Sequence, residues 1–262
     1  MHKPRPRTDQ KGDNVKILEE EPPSSDECKL PWLIDAFLYP ISASGMIHIA
    51  VFVFLPMLVS FLLRLLAAFL SPYLREGTGY IIALLAAPFY LIFGCYVCYY
   101  IAHCVLDSSK GSRRASDVPI ADTFSAGDLA SQVVLLFGCV AICLWPAAVY
   151  YVLRRQADLW FWLLLTFGGF FLPMSFLRGV MFDAFDALNP IRIIWSIGSG
   201  LPGYCGLALF SLVLAGLIVK VVPRLPLWIF LQKGIGFYLV FVLAHRLGWF
   251  YWWYKDKLDW GL

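Results

Sequence analysis

Charge is what this 262-residue chain has least of. Asp, Glu, Lys and Arg together make up 15% of it, against 60% hydrophobic residues and a mean hydropathy of +0.71. Soluble domains carry roughly 25% charged residues, because their surfaces must hold many polar groups. The shortage excludes an ordinary soluble globule of this size. The formal net charge of +3 is modest and says little about nucleic acid, which is not an expected partner.

Other absences narrow the reading further. There is no GxSxG, no P-loop and no HExxH. The glycine cluster GSGLPGYCG (198–206) is not followed by GK[ST] and offers no phosphate cradle. Internal repeats are missing, which argues against an inverted-repeat transporter. A secreted disulfide framework is missing too: of seven cysteines, only Cys28 lies in a polar region. The first apolar run begins only near Gly45, too late for a cleaved signal peptide, so the N-terminus is expected to be retained.

What the chain does have is long apolar runs. A helix needs about 20 such residues to cross a bilayer. The runs predict an all-α polytopic bundle with about six spans: 45–70, 79–106, 131–153, 159–177, 201–222 and 227–248. Residues 1–30 read as a disordered cytoplasmic tail, and 31–262 as a single membrane domain. Residues 107–130 read as a flexible loop, and its RRAS string (113–116) as solvated chain. Two stretches are too short to cross, PWLIDAFLY (31–39) and NPIRIIWSIGS (189–199), and are expected to lie at the interface. In the second, Asn189 then Pro190 is the order of an N-cap and first helical residue. The aromatic cluster 249–254 marks where the last span should leave the bilayer.

Lysine and arginine placement sets the orientation. With the N-terminus inside, fourteen of the 21 fall on the cytoplasmic side: six before the first span, Lys110, Arg113, Arg114, Arg178, Arg192, Arg246, Lys255 and Lys257. Five fall opposite: Arg75, Arg154, Arg155, Lys220 and Arg224. Arg64 and Lys233 lie within spans near the outer side. Both termini are expected to be cytoplasmic.

Within the spans, Pro56, Pro88, Pro146 and Pro173 each remove a backbone donor and free a carbonyl one turn earlier. Kinked helices can line a cavity, though proline is also common in membrane helices generally. Glycines at 168, 169, 198, 200, 203, 206, 234 and 236 suggest close helix packing. The Cys95-x-x-Cys98 pair shares a helix face, as do Cys139 and Cys143, and both pairs read as small buried residues. One constellation carries chemistry. His48, His103, His245, Asp183 and Asp186 all fall near the cytoplasmic ends of spans, and these residue types ligate zinc, manganese or iron and relay protons. Helix ends are also where polar residues belong without any site, so no cofactor is expected.

Three stretches, AFLYPISASGMI (36–47), FDALNPIRIIWSI (185–197) and AHRLGWFYWWYKDKLDW (244–260), resemble a family of bacterial multipass membrane proteins of planctomycete type, a domain of unknown function. The resemblance covers about residue 30 to the end. It implies a helical bundle in the bacterial cytoplasmic membrane and brings no activity, ligand or site residue with it. The expected function is a non-enzymatic scaffold or accessory subunit, with membrane lipids and other membrane proteins or further copies as partners. A small-solute or lipid transporter is the first alternative, and a metal-dependent membrane enzyme with a cytoplasmic-side site the second.

Overall fold

In a computed structural model of the protein, the described residues are 32–70, 78–112, 126–182 and 189–258. The expected tail (1–30), the RRAS string, and Asp183 and Asp186 lie outside them. Among the described residues the chain is all helix, without a strand. Six helices are long and apolar enough to cross a membrane. They are α2 (Ala43–Leu70), α3 (Thr78–Ser109), α4 (Ala126–Arg154), α5 (Leu159–Phe182), α7 (Leu201–Gly216) and α8 (Ile229–Leu258). A π-helical turn (Leu217–Val221) and a 3-10 turn (Val222–Arg224) prolong α7. There the Val222 N–H donates to the Leu217 carbonyl, a five-residue step just before Pro223, which has no N–H to give.

Two helices are short, α1 (Trp32–Leu38) and α6 (Pro190–Ser199). Ten residues of helix are about 15 Å long, half the hydrocarbon thickness. Asn189 caps α6 as its sequence predicts: its side chain accepts from the Ile191 N–H at 3.1 Å, with Pro190 in the first turn. Ile193, Ser196 and Ile197 are buried, while Ile191, Ile194 and Trp195 are exposed. That division is the amphipathic pattern of a helix lying on the bundle.

Several boundaries overrun their predicted ends. Helix α5 continues past 177 to Phe182, which places Arg178 on a helix and buries it, not in a loop. Helix α4 begins at Ala126, inside the expected loop. Helix α8 runs through the aromatic cluster to Leu258. Of that cluster Phe250 and Tyr251 are buried and Trp253 is exposed, so the rings serve packing as well as the boundary.

The helices meet where glycine permits it. A Cβ on Gly168 would collide with the Cys143 carbonyl, and one on Gly179 would sit 3.0 Å from Cys139 Sγ, which seats α5 against α4. A Cβ on Gly203 would strike the Tyr254 hydroxyl, where α7 meets α8. Gly248 presses α8 onto α3, its missing Cβ directed at the Val105 carbonyl. Gly198, Gly206, Gly234 and Gly236 have open space instead. Burial is uneven along the bundle. No residue of 54–70 or 79–99 is buried, whereas Phe52, Tyr100, Val105, Leu177, Phe241 and His245 are almost wholly so.

Candidate functional site

The polar chemistry of the bundle gathers on one face of α3. Tyr96, Tyr100, Cys104 and Ser108 follow one another at steps of four and therefore share a stripe. At Tyr100 the stripe meets His48 of α2, whose ring lies parallel to the tyrosine with centroids 3.9 Å apart. His48 Nδ1 donates to the Ser44 carbonyl at 2.8 Å. A carbonyl only accepts, so the proton of this histidine sits on Nδ1.

At Cys104 the stripe meets Tyr39, in the 3-10 turn after α1, whose hydroxyl donates to the Cys104 carbonyl at 3.5 Å. Burial first, and then the neighbouring Cys104, hold the Tyr39 phenol protonated well above its ordinary range. The Tyr39 ring stacks on His245 of α8 at 4.1 Å. At Ser108 the stripe meets His245 itself: Ser108 Oγ and His245 Nδ1 share a hydrogen bond of 2.9 Å. Phe52 and Phe241 close the cluster, with Phe52 edge-on to Tyr100 and 6.1 Å from Phe241.

A Ser–His pair at 2.9 Å has the reach of a nucleophile and its base. Here Ser108 is 0% exposed and His245 1%, so both are sealed inside the bundle. Hydrogen bonds tie the α1 turn to α3 and α3 to α8 where water is excluded, ring stacking of His48 on Tyr100 brings in α2, and the buried Tyr100 hydroxyl has no hydrogen-bond partner among the described residues.

A second polar centre lies where α6 rests on α5. Arg178 Nη1 donates to the Arg192 carbonyl at 3.0 Å and to Ser196 Oγ at 2.9 Å. Ser196 Oγ in turn donates to the Arg192 carbonyl at 2.8 Å. The guanidinium carbon lies 5.0 Å from the centre of the Phe182 ring. A buried arginine thus docks the short helix. Arg178, Arg192, Trp195, Ser196, Ser199 and Lys257 line an adjoining cleft of about 400 Å³.

The predicted constellation is only partly assembled. His48 and His245 enter the buried cluster, joined through Tyr100, Cys104 and Tyr39. His103 is on the neighbouring stripe of α3, half-buried and stacked on Tyr99 at 5.7 Å. Each histidine therefore has a different tyrosine as its neighbour. Asp183 and Asp186 fall outside the described residues, and among the described ones no three His, Cys, Asp or Glu side chains group as a metal would need. Cys139 and Cys143 are buried as expected, the Cys139 thiol donating to the Ser175 carbonyl at 3.2 Å. Cys95 and Cys98 are half-buried.

Tyr39, Tyr100 and Ser108 were not among the predicted site residues. The four-residue step from Tyr96 to Ser108 was the available signal, but it does not name the partners across the bundle.

No family model, curated protein or solved structure matches the chain. Fold and composition together define its class: an integral, multi-pass membrane protein.

Proposed function

We propose that this chain is a non-enzymatic scaffold or accessory subunit of an assembly in the bacterial cytoplasmic membrane, with both termini on the cytoplasmic side. The observation that carries the reading is how the buried polar side chains are used. Tyr39, Ser108 and His245 take one another or a backbone carbonyl as partners and join the α1 turn, α3 and α8, while His48 bonds within α2 and joins it to α3 by stacking on Tyr100. Those are groups spent on holding a shape. The placement of fourteen of 21 lysines and arginines on one side supports the orientation.

Extraction in a gentle detergent, followed by mass spectrometry of proteins and metals, tests the reading. The expected result is another membrane protein co-purifying in fixed ratio, with the ratio unchanged in His103→Ala. A chain that extracts alone and carries stoichiometric metal, lost in His103→Ala, would overturn it. A fluorescent-protein fusion at the C-terminus tests the orientation. Fluorescence is expected for a cytoplasmic end, and a dark fusion beside a functional periplasmic reporter contradicts it.

A further inference from the structure

Residues 54–70 of α2 and 79–99 of α3 bury nothing, and they carry a single charge. Arg64 is the only Asp, Glu, Lys or Arg of α2, and α3 has none before Asp107. The Arg64 side chain is exposed, and among the described residues none forms an ion pair or a hydrogen bond with it. It stands six residues, about 9 Å, short of the helix end at Leu70. A guanidinium on so apolar a face calls for a counter-charge.

A second polar group stands one turn deeper. Ser60 shares the Arg64 face at the four-residue step, and its hydroxyl donates to the Pro56 carbonyl at 2.7 Å. That uses the one proton Ser60 has, so in its 2.6 Å bond with Tyr90 the tyrosine is the donor. Tyr90 is 40% exposed, and its oxygen can still accept from a further donor. The antiparallel register that Ser60 and Tyr90 set places Ala86 and Ala87 across from Arg64. Side chains that small let another helix come close.

Charge decides between the possible occupants. A headgroup phosphate at the end of α2 meets Arg64, but the Tyr90 oxygen lies beside Ser60, about 15 Å below that end. A second copy repeats Arg64 and brings no carboxylate to face it. Of its carboxylates only Glu76 and Asp158 fall toward this end of the bundle. Glu76 adjoins Arg75 outside the spans, and Asp158 is held by Tyr150 and the Phe161 N–H.

We infer that the Ser60–Arg64 face of α2, with Tyr90 of α3, docks a transmembrane helix of another protein. That helix carries a carboxylate opposite Arg64 and a hydroxyl or amide donor one turn deeper. The inference rests on the accessory-subunit reading and adds the chemistry of the partner.

The test uses the purified full chain in phosphatidylcholine vesicles, dye-labelled for energy transfer to leucine–alanine transmembrane peptides. One peptide carries Glu about two turns from its end and Ser one turn deeper, and its control has Gln in place of Glu. The Glu peptide is expected to bind at least about tenfold more tightly than the control. Arg64→Leu should remove the difference without lowering the melting temperature, and Lys233→Gln, an exposed cation of α8, should keep it. Equal binding of the two peptides would overturn the proposal. So would a preference that vanishes when phosphatidylglycerol is added to the vesicles, which makes a headgroup the occupant. Energy transfer between copies that Arg64→Leu abolishes makes the occupant a second copy, and overturns it too. In gentle-detergent extracts, a protein that still co-purifies with Arg64→Leu overturns this docking site and leaves the accessory reading standing. A chain that extracts alone yet prefers the Glu peptide overturns the accessory reading and leaves the site.

Discussion

Two stretches of the same helix pair, α2 and α3, behave as if they belonged to different proteins. Residues 43–53 and 100–109 hold His48, Phe52, Tyr100, Cys104 and Ser108, all buried and all in contact with other helices. Residues 54–70 and 79–99 are as apolar, yet none of them is buried. Within the uncovered stretch Ser60 links α2 to α3, its hydroxyl bonding to Tyr90 at 2.6 Å and to the Pro56 carbonyl at 2.7 Å. Hydropathy does not separate the two stretches, because lipid tails cover an apolar helix as well as a neighbouring helix does. What separates them is small residues and polar partners. The packed stretch has Gly45 beneath Pro40, Gly248 on Val105, and the hydrogen bonds of Tyr39 to the Cys104 carbonyl and of Ser108 with His245.

The largest effects should therefore come from changes at the packed end that are silent at the other. Phe241→Ala removes a wholly buried ring and should cost about 3–5 kcal/mol, whereas Leu84→Ala, at an exposed position, should cost less than about 0.5 kcal/mol. Thermal melting in detergent checks both, and equal losses would break the contrast.

Two glycines sharpen it. Gly248→Ala places a methyl against the Val105 carbonyl and the Ser109 amide, neither of which can yield, and should cost about 3 kcal/mol. Gly94→Ala meets open space and should gain about 0.5–1 kcal/mol from helix propensity. Opposite signs at two glycines of the same bundle would be hard to explain by composition.

The histidines give a smaller contrast. His245→Ala leaves Ser108 buried without its partner and should cost about 2 kcal/mol. His103→Ala, at a half-buried position stacked on Tyr99 outside the cluster, should cost clearly less in the same melts.

The smallest effect belongs to the exposed turn between α4 and α5. Tyr150 donates to Asp158 Oδ2 at 2.5 Å and the Phe161 N–H to Oδ1 at 3.1 Å. The first bond, then the second, holds the Asp158 carboxyl below its ordinary value of 3.8. Ionised Asp158 thus adds stability above that value, and the addition fades as pH falls through the lower native one. Melting followed from neutral pH downward should show an acid-side loss that Asp158→Asn lacks. A variant with the same acid profile as the parent would remove the turn from the account.

The architecture was open to reading from the sequence because each span is a continuous apolar run and Asn189-Pro190 is an unambiguous helix start. The ends were harder. Arg178 looks like the first loop residue after a span, yet a helix continues as long as its backbone bonds do, and a buried arginine can find carbonyls as partners. The aromatic cluster at 249–254 reads as a boundary because tryptophan and tyrosine favour the interface, and that composition does not tell which rings, here Phe250 and Tyr251, turn inward. Glycine composition pointed to close packing without saying where: Gly168 and Gly203 do sit at crossings, Gly234 and Gly236 do not, and Gly45 and Gly248 gave no sign. The histidine cluster was half legible. His48 and His245 both enter the buried cluster, His48 against Tyr100 and His245 against Tyr39 and a serine 137 positions away from it, a pairing that no local pattern encodes.

The division between a sealed and an uncovered half is tested most directly by a photoactivated carbene probe dissolved in the lipid phase, followed by peptide mapping of the purified, reconstituted chain. Heavy labelling is expected on Phe54, Leu58, Phe61, Leu84 and Leu91, with Phe52, Tyr100, Phe241 and Leu247 spared. Comparable labelling of the two sets would contradict it.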